Sequence, residues 1–563
     1  MKNTKILYFL LTLVVLLSSS TSIVSKAKES LEADDIYKDV VGNPKEFYEQ
    51  YIDYELFEKQ VRESLENFEE VIYFPKNTIP YSDEAFYAFW DMLDDEMSDL
   101  YYVSGSNINS SNGYLTYAKI TYSATPDEVE VYNVTLESAM KNILLGIEGN
   151  DSLSDVEKLL LIHDRLAVLC QYDYTFSNYD AYDALVYKTS VCQGYAEAYS
   201  LLLDKVGIKN ELCSSSQLNH AWNIVYLDGK PYHVDVTWDD PSWGGGKEAV
   251  LGYVRHTNFL RSTEGIIEAE HTANDFNSTP SDTTYDNYFW QNSESAFVLL
   301  NDEIYYIDES EGALVRYSDG AVLASIDDTW TAGGYSYWVG HYGKLVTDGE
   351  NLYYSLSSGV YKYNFEKGKG ELVYSPSLNG VESIYGLSYE NGYIICQINE
   401  SPNISSSSRY EKILVSAKDE KRDSIVVNEN AFVLLDGEYA KGVPCNTTVS
   451  EVLEQIYNGN AVISDKLGRV LPLDDLCKTG DKITLVDGAS IASQYEIVIL
   501  GDVDGNGVVD ATDYMRIKSV FLGNYSLEGS NKLAADVTAD DRIDTTDYLR
   551  IKSFFLGTFD LYA

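Results

Sequence analysis

Near its C-terminus the sequence contains a duplicated segment, TDYMRIKSVFLG at residues 512–523 and TDYLRIKSFFLG at 546–557. An acidic loop precedes each copy, and the first loop reads DVDGNGVVDATD over 502–513. This loop places oxygen-bearing side chains at positions 1, 3, 5, 9 and 12 and a glycine at position 6. Such spacing lets a loop surround a hard cation with the roughly six to eight oxygens that Ca²⁺ prefers. The repeat therefore predicts two calcium loops, each followed by a helix.

Each loop is expected to supply ligands from six positions, with position 7 using its backbone carbonyl. These positions hold Asp502, Asp504, Asn506, Val508, Asp510 and Asp513 in the first loop, and Asp536, Thr538, Asp540, Arg542, Asp544 and Asp547 in the second. The second loop has Thr538 at position 3 and Asp541 where glycine is usual. We therefore expect two structural Ca²⁺ ions, with weaker binding in the second loop.

With two such loops, each followed by one helix, residues 500–560 resemble type I dockerin domains. The resemblance implies docking onto a cohesin module of a scaffoldin, as in the cellulosomes of anaerobic bacteria. It places the recognition residues at loop positions 10 and 11 and along the following helix. In this sequence they are Ala511, Thr512, Arg516, Lys518, Thr545, Thr546, Arg550 and Lys552. The near-identity of the two copies implies that either face could bind the cohesin.

Residues 1–27 predict a secretory signal peptide, with two lysines, the apolar run ILYFLLTLVVLL and then small residues. A membrane anchor is the alternative, but this run of about 12 residues is shorter than the roughly 20 needed to span a bilayer. The formal net charge of −48 disfavours nucleic acids and anionic membranes, which require a basic surface. We expect a secreted, extracellular chain with no nucleic-acid partner and no membrane span.

Changes in pattern divide the rest of the sequence. Residues 28–150 predict an N-terminal α+β region, with a helix in LFEKQVRESLENFEEVI and strands in YLTYAKITYSA and VEVYNVTL. Residues 151–275 alternate helices with a hairpin and hold five of the six histidines, which makes them the candidate catalytic region. Residues 426–498 predict a small β-rich module with one helix, TVSEVLEQIY, and the duplicated loops occupy 499–563.

Residues 285–425 predict a tyrosine-rich β domain. NDEIYYIDESEGALVRY, GENLYYSLSSGVYKY and ENGYIICQI recur at steps of about 40 to 50 residues, as the blades of a β-propeller do. Only about three copies are visible and closed propellers usually have at least about four blades, so we expect a partial propeller-like domain. Its tyrosines are expected to pack between strands, with stacking on a ligand as the alternative. The chain is thus predicted to be multidomain, with an α+β core, a β-rich middle and an all-α C-terminus.

The segment KTSVCQGYAEAYSLLLDKVG at 188–207 predicts a helix that begins with a cysteine. Its apolar residues follow helical spacing, Gly207 is suited to end the helix, and Ser190 with Gln193 predicts a capping box. Cys192 would then lie in the first turn, where unpaired N–H groups and the helix dipole favour a thiolate. A structural cysteine gains nothing from this position.

A thiolate nucleophile also needs a base and a group that orients the base. Downstream, LNHAWNIVYLDGKPYHVDVTWDDP contains two strand-like runs joined by Asp-Gly, which favours a two-residue hairpin turn. Pairing Leu227 with Lys230 places His220 opposite Thr237 and makes Asp235 its diagonal neighbour, within side-chain reach. The hairpin therefore predicts a Cys-His-Asp triad.

Two alternatives to this triad remain open. Cys192 could form a disulfide with Cys170 or Cys213, the other cysteines in the same window. His233 lies on the same face as His220 and is a rival base, but it faces Ile224 near the turn and is expected to be structural.

The blocks VCQGYAEAYSLLL, HAWNIV and YHVDVTW, in this order within residues 150–270, resemble the transglutaminase-like cysteine enzymes, which share the papain-like fold. The resemblance implies that Cys192 is the nucleophile, His220 the general base and acid, and Asp235 the residue that orients the imidazole. It also implies that the backbone N–H of Cys192 forms part of the oxyanion hole and that catalysis needs no cofactor. Gln171 is a weak candidate for the rest of the hole.

The reaction itself stays open between several classes. Resolution of an acyl thioester by water gives a peptidase or amidase acting on a protein or peptide, resolution by an amine gives transamidation, and some relatives are inactive. The absence of an obvious amine site favours hydrolysis. Outside enzymes, the chain could be a non-catalytic binding or structural cellulosome component. An accessory role in plant polysaccharide breakdown rests on the dockerin alone, because no glycosidase carboxylate pair is evident.

Overall fold

The computed structural model describes residues 44–562 except for 96, 98, 99, 101, 243–249, 333–335, 340, 341, 403–407, 417–422, 429 and 458–460. The predicted signal peptide lies outside the described residues. The chain forms two compact units. The first consists of the described residues up to Pro126 together with 146–387 and 397–409, and the second of 127–145, 388–396 and the residues from Tyr410 onward.

A π-helix at Asp183–Tyr187 and a 3₁₀-helix at Phe289–Asn292 accompany the α-helices. In chain order the α-helices are α1 (Pro44–Tyr48), α2 (Tyr54–Glu66), α3 (Asp83–Asp95), α4 (Pro126–Ile143), α5 (Asp155–Leu169), α6 (Cys192–Lys205), α7 (Val236–Asp239), α8 (Thr263–Glu268), α9 (Val449–Leu453), α10 (Ala511–Phe521), α11 (Gly529–Ala535) and α12 (Thr545–Phe555).

The strands fall into the following groups. The N-terminal and candidate catalytic regions contain β1 (Val71–Tyr73), β2 (Val103–Ser111), β3 (Tyr114–Tyr122), β4 (Gln171–Tyr172), β5 (Thr189–Ser190), β6 (Asn210–Ser215), β7 (His220–Leu227) and β8 (Lys230–Val234). The middle region contains β9 (Val298–Leu300), β10 (Glu303–Asp308), β11 (Ala313–Arg316), β12 (Val322–Ser325), β13 (Thr329–Ala332), β14 (Ser336–Val339), β15 (Leu345–Thr347), β16 (Leu352–Leu356), β17 (Gly359–Asn364), β18 (Lys369–Tyr374), β19 (Ser383–Glu390), β20 (Tyr393–Asn399) and β21 (Arg409–Leu414). The small module contains β22 (Leu434–Asp436), β23 (Tyr439–Lys441), β24 (Ala461–Ser464), β25 (Lys482–Asp487) and β26 (Ser490–Ile497).

The N-terminal region is mixed α and β, as predicted, but one of its predicted strands is wrong. The stretch VEVYNVTL lies within helix α4. Pro126 occupies the first position of α4, where its missing N–H costs no hydrogen bond. Leu136, Met140 and Ile143 are buried at helical spacing. The longer window therefore has the period of a helix, although the eight residues alone alternate.

The candidate catalytic region places α6 against an antiparallel sheet of order β6-β7-β8. Asn223 on β7 donates its side-chain amide to the carbonyl of Ala196 on α6 at 2.9 Å, which links sheet and helix. The hairpin of β7 and β8 pairs Leu227 with Lys230, so the predicted register is confirmed. The helix ends at Lys205, just before the positive-φ Gly207.

The tyrosine-rich region contains two four-stranded antiparallel sheets, β9–β12 and β15–β18, in which consecutive strands are neighbours. Tyr305, Tyr354, Tyr363 and Tyr385 are buried in one apolar cluster with Trp330. The prediction that tyrosines pack between strands is confirmed at these positions. Closure of the sheets into a propeller-like arrangement stays a prediction.

The small module is a five-stranded sheet of order β22-β23-β26-β25-β24, with a capping box of Thr448 and Glu451 at the start of α9. In the C-terminal region α10 and α12 pack against each other, and Ile517 and Ile551, which occupy equivalent repeat positions, are buried between the loops and helices. Among the described residues no helix is both long and apolar enough to cross a bilayer.

Candidate active site and calcium loops

Cys192 is the first residue of α6, in the position that the sequence predicts. The predicted capping box is wrong, because Val191 is the N-cap and makes no side-chain cap hydrogen bond. Ser190 Oγ instead donates to a backbone carbonyl of the preceding loop, and the Gln193 amide donates to a glutamate one turn later. No N-cap side chain therefore accepts the free N–H groups at the start of α6. The positive end of the helix dipole is left to act on the Cys192 sulfur.

A glycine in the first turn lets α6 start close to the preceding segment. A Cβ atom on Gly194 would lie 2.1 Å from Ser190 Oγ and 2.6 Å from the carbonyl oxygen of Asp180. Glycine costs about 1 kcal/mol in a helix interior, so this residue is present for the close approach rather than for helix stability. The approach fixes where Cys192 lies.

Asp235 ends the hairpin and begins the next helix. Strand β8 stops at Val234, and Asp235 is the N-cap of α7, with its Oδ1 accepting the backbone N–H of Trp238 at 3.1 Å. The predicted pairing of His220 with Thr237 is therefore wrong, because Thr237 is already helical. The diagonal reach from His220 to Asp235 is nevertheless present.

The structure brings Cys192, His220 and Asp235 together. His220 Nε2 donates to Asp235 Oδ2 at 2.7 Å, and the two side chains are 5% and 0% exposed. His220 is also hydrogen-bonded to the Cys192 side chain, and Nδ1 is the ring nitrogen left for the sulfur. Burial lowers the pKa of His220, but the charge and hydrogen bond of Asp235, aided by Cys192, outweigh it and raise the pKa to about 10. The structure thus places a thiol, an imidazole and a carboxylate in one hydrogen-bonded series.

Two indole rings hold the His220 imidazole. The ring centroid of Trp222 lies 5.4 Å from that of His220 and the centroid of Trp238 lies 5.2 Å away, both in stacked orientations. The indole N–H of Trp222 donates to His233 Nδ1 at 3.0 Å, and His233 Nε2 bonds to Thr263 at 3.0 Å. Burial lowers the pKa of His233 to about 3, so this rival base is neutral and has both ring nitrogens occupied.

The other end of α7 is held by a second buried histidine–carboxylate cluster. Asp239 accepts the N–H and the side-chain amide of Asn258 at 3.1 and 2.9 Å, and it bonds to His163 Nε2 at 3.2 Å. The N–H of Asp235 donates to the Asn258 carbonyl at 3.1 Å. Burial lowers the pKa of His163, but hydrogen bonds to Asp164 and Asp239 raise it to about 9. The backbone of Asp235 is therefore tied to a charged buried cluster.

Tyr172 interacts electrostatically with the candidate nucleophile. Burial and the nearby Cys192 raise the pKa of Tyr172 to about 12, while Gln171 is exposed. Adjacent strand residues point to opposite faces, so the side chains of Gln171 and Tyr172 on β4 lie on opposite faces. No local motif marks Tyr172, which the sequence reasoning therefore missed.

The sequence reasoning also missed His271. Its Nε2 donates to the same oxygen, Asp235 Oδ2, at 2.8 Å, and its side chain is fully buried. His271 follows helix α8 as an isolated histidine with no surrounding pattern, and only the fold brings it to the triad.

All six cysteines are free, so the alternative of a disulfide at Cys192 is not formed. Cys170 and Cys213 are buried, and burial raises the pKa of the Cys213 thiol to about 12 and that of Cys170 further. Cys192 and Cys445 are both half-buried.

Three carboxylates converge in the first acidic loop. Asp502, Asp504 and Asp513 each place an oxygen within 4.8 Å of the others. Asp504 Oδ1 is buried without a hydrogen-bond partner among the described residues, and burial raises the pKa of Asp513 to about 6. Backbone N–H groups of Val503 and Asp510 orient Asp513. An orphaned buried oxygen beside two other carboxylates fits a bound Ca²⁺, which would supply the missing partner.

The second loop has the same hydrogen-bond pattern as the first, but its residues are less suited to bind a cation. Thr538 Oγ1 donates to Asp547 Oδ1 at 2.9 Å, where the first loop has the carboxylate of Asp504. Ala539 and Asp541 adopt positive φ values of 56° and 63°, where the first loop has glycines. Both differences favour weaker cation binding in the second loop.

The residues that the dockerin resemblance implies for cohesin recognition lie on the two repeat helices and their preceding loops. Arg516 is half-buried, and the others are exposed: Ala511, Thr512, Lys518, Thr545, Thr546, Arg550 and Lys552. Equivalent positions in the two repeats therefore offer similar exposed surfaces.

Family models match two parts of the chain. Residues 146–236 match the transglutaminase-like superfamily, and residues 500–556 match the dockerin type I domain. The chain therefore contains a transglutaminase-like domain and a C-terminal type I dockerin, and both resemblances are confirmed. A comparison with curated proteins finds no match.

Two solved structures show similarity over part of the chain. A transglutaminase (TGase) is 12% identical with a TM-score of 0.18, and the match covers 32% of this chain and 52% of that one. A candidate cysteine protease from Cytophaga hutchinsonii is 16% identical with a TM-score of 0.16, covering 24% of this chain and 61% of that one. The chain thus spans little more than half the length of each structure.

In the Cys192→Ser variant, which removes the thiol whose proton loss on folding would offset proton uptake by His220, we expect the free energy of unfolding to fall as pH rises from about 6.5 to about 10. His220, with a folded pKa of about 10 against an ordinary 6.5, retains a proton that the unfolded chain releases in this window. The stabilisation that this proton provides is complete below the ordinary pKa of histidine. It is lost as the pH rises through the pKa of His220 in the folded chain. Urea unfolding followed by tryptophan fluorescence at both ends of the window measures it. Asp235→Asn removes the charge that raises this pKa and should make the fall shallower, whereas equal slopes would contradict the assignment.

For calcium, we expect Asp502→Ala to weaken the tighter site at least about tenfold, and Asp536→Ala to affect only the weaker one. Isothermal titration of the chelator-stripped chain measures both sites. Asp541→Asn removes a charge at a loop position without a ligand role and is the matched control. Equal losses in the two alanine variants would refute the ranking, and no calcium-dependent heat would remove the assignment.

Proposed function

We propose that the chain is a secreted cysteine enzyme that hydrolyses amide bonds in proteins or peptides and is anchored to a scaffoldin by its dockerin. The observation that carries this proposal is the hydrogen-bonded series Cys192, His220 and Asp235 at the start of α6, inside a domain that matches the transglutaminase-like superfamily. A nucleophile, a base and an orienting carboxylate in contact are the parts that acyl transfer needs.

In the acylation step the Cys192 sulfur attacks the amide carbonyl carbon. The C–N bond breaks as the leaving amine takes the proton from His220 Nδ1, and a thioester remains on the sulfur. The backbone N–H of Cys192 at the helix start donates to the oxyanion, and Tyr172, which interacts electrostatically with Cys192, is a candidate second donor. Asp235 stays ionised and stabilises the imidazolium, because hydrogen bonds and nearby histidines hold its pKa well below the usual range despite burial.

In the deacylation step water supplies the second nucleophile. His220 Nδ1 accepts a proton from water as its oxygen attacks the thioester carbon, and the C–S bond then breaks to release a carboxylic acid. An amine in place of water would give transamidation by the same route. Hydrolysis is the proposed reaction, because water abounds outside the cell and no amine-binding site is evident in the sequence.

The dockerin indicates where the chain is located and which kind of protein it binds. A type I dockerin binds calcium, implies a cohesin partner and indicates an extracellular, cellulosome-associated protein. We infer that two Ca²⁺ ions order its loops, and that the exposed residues of either repeat contact the cohesin. The predicted signal peptide would provide secretion.

Neither non-enzymatic alternative is favoured by a specific observation. The tyrosines that a ligand-binding β domain would offer are buried at Tyr305, Tyr354, Tyr363 and Tyr385. An accessory role in polysaccharide breakdown still rests on the dockerin alone. The propeller-like arrangement of residues 285–425 and the boundaries of the six predicted segments remain proposals.

We expect incubation with a protein mixture to create new peptide N-termini or deamidated glutamines, detected by mass spectrometry. The Cys192→Ser variant should create none, whereas Cys445→Ser, which alters the other half-buried cysteine, should retain full activity. A labelled primary amine should not be incorporated. Label entering glutamine side chains would replace hydrolysis by transamidation, and no Cys192-dependent product would overturn the enzyme proposal.

A further inference from the structure

We propose that His271 is a positioning residue that holds Asp235 for His220, so that the site is built from four residues instead of three. The inference rests on the proposed function. His220 Nε2 lies 2.7 Å and His271 Nε2 lies 2.8 Å from the same oxygen, Asp235 Oδ2. The other oxygen, Oδ1, accepts the backbone N–H of Trp238. The carboxylate is thus fixed by three donors.

The hydrogen-bonding state of His271 follows from its surroundings. Nε2 faces a carboxylate oxygen, which only accepts, so Nε2 carries a hydrogen. Nδ1 is buried and has no hydrogen-bond partner among the described residues. A buried polar atom without a partner costs free energy, so a residue that only filled this space would be better apolar. The bond from Nε2 to Asp235 is the one interaction that a histidine makes here and an apolar residue does not.

Packing against two indole rings orients the hydrogen bond from His271 to Asp235. The His271 ring centroid lies 3.9 Å from that of Trp238 and 5.3 Å from that of Trp222, the same indoles that stack on His220. The backbone N–H of His271 donates to Ile266 at 3.2 Å, which ties the residue to α8. Both imidazoles are therefore held by one pair of indoles, with the shared carboxylate oxygen between their Nε2 atoms.

The consequence is that Asp235 cannot rotate freely toward or away from His220. With His271 in place, Oδ2 stays where it can accept from His220, and His220 Nδ1 stays on the Cys192 sulfur. Loss of the second donor would leave the carboxylate held on that oxygen by His220 alone. His271 therefore acts on the reaction through Asp235 and does not itself touch a reacting atom.

The test compares the rate at which iodoacetamide alkylates Cys192 with the rate at half-buried Cys445 in the same full-length chain, by mass spectrometry. His271→Phe keeps a ring between the indoles but removes the donor. It should slow Cys192 about tenfold and leave Cys445 unchanged. His271→Gln and His271→Met have similar lengths and differ in the donor, so Gln should restore most of the rate and Met should not.

A double-mutant cycle separates positioning from general stability. If His271 acts through Asp235, His271→Phe in an Asp235→Asn background should change the Cys192 rate less than about twofold. Additive effects, or equal rates for the Gln and Met variants, would overturn the inference. If the His271→Phe variant does not fold, the comparison of His271→Gln with His271→Met still tests the inference. A chain that alkylates as expected but cleaves no protein would refute the proposed function alone, so the two failures are distinguishable.

Discussion

The buried carboxylate of Asp235 is the interaction on which the candidate site depends. An ionised carboxylate removed from water is costly unless donors surround it, and breaking such a buried network typically costs about 3 to 5 kcal/mol. Here two imidazole N–H groups and the N–H of Trp238 surround it. The same residue ends strand β8 and begins helix α7. One side chain therefore fixes both the local fold and the direction of the His220 imidazole.

The remaining parts of the site are arranged around that charge. Helix α6 brings the Cys192 sulfur to the free side of His220, and Gly194 allows the helix to begin there. The charged cluster of His163 and Asp239 anchors the far end of α7. Because these contacts come from α5, α6, the hairpin and the segment after α8, the geometry of the candidate site requires this whole region of the chain to be folded.

Much of this site could be predicted from the sequence, where the determining contacts are local. The Asp-Gly turn sets the hairpin register, and loop spacing sets the convergence of Asp502, Asp504 and Asp513. Prediction failed where distant groups compete. Ser190 donates to a preceding loop instead of capping α6, and VEVYNVTL follows the longer helical period of α4. His271 approaches Asp235 across 36 residues, so no local pattern could reveal it.

The central proposal is that Cys192 and His220 form an ion pair sustained by Asp235. The most direct measurement is the ultraviolet absorbance of a thiolate, taken as the difference between the chain and its Cys192→Ser variant at neutral pH. The account predicts a thiolate band in this difference, and the same subtraction in a His220→Gln background should abolish it. Identical spectra for the chain and its Cys192→Ser variant, or a band that persists without His220, would contradict the account.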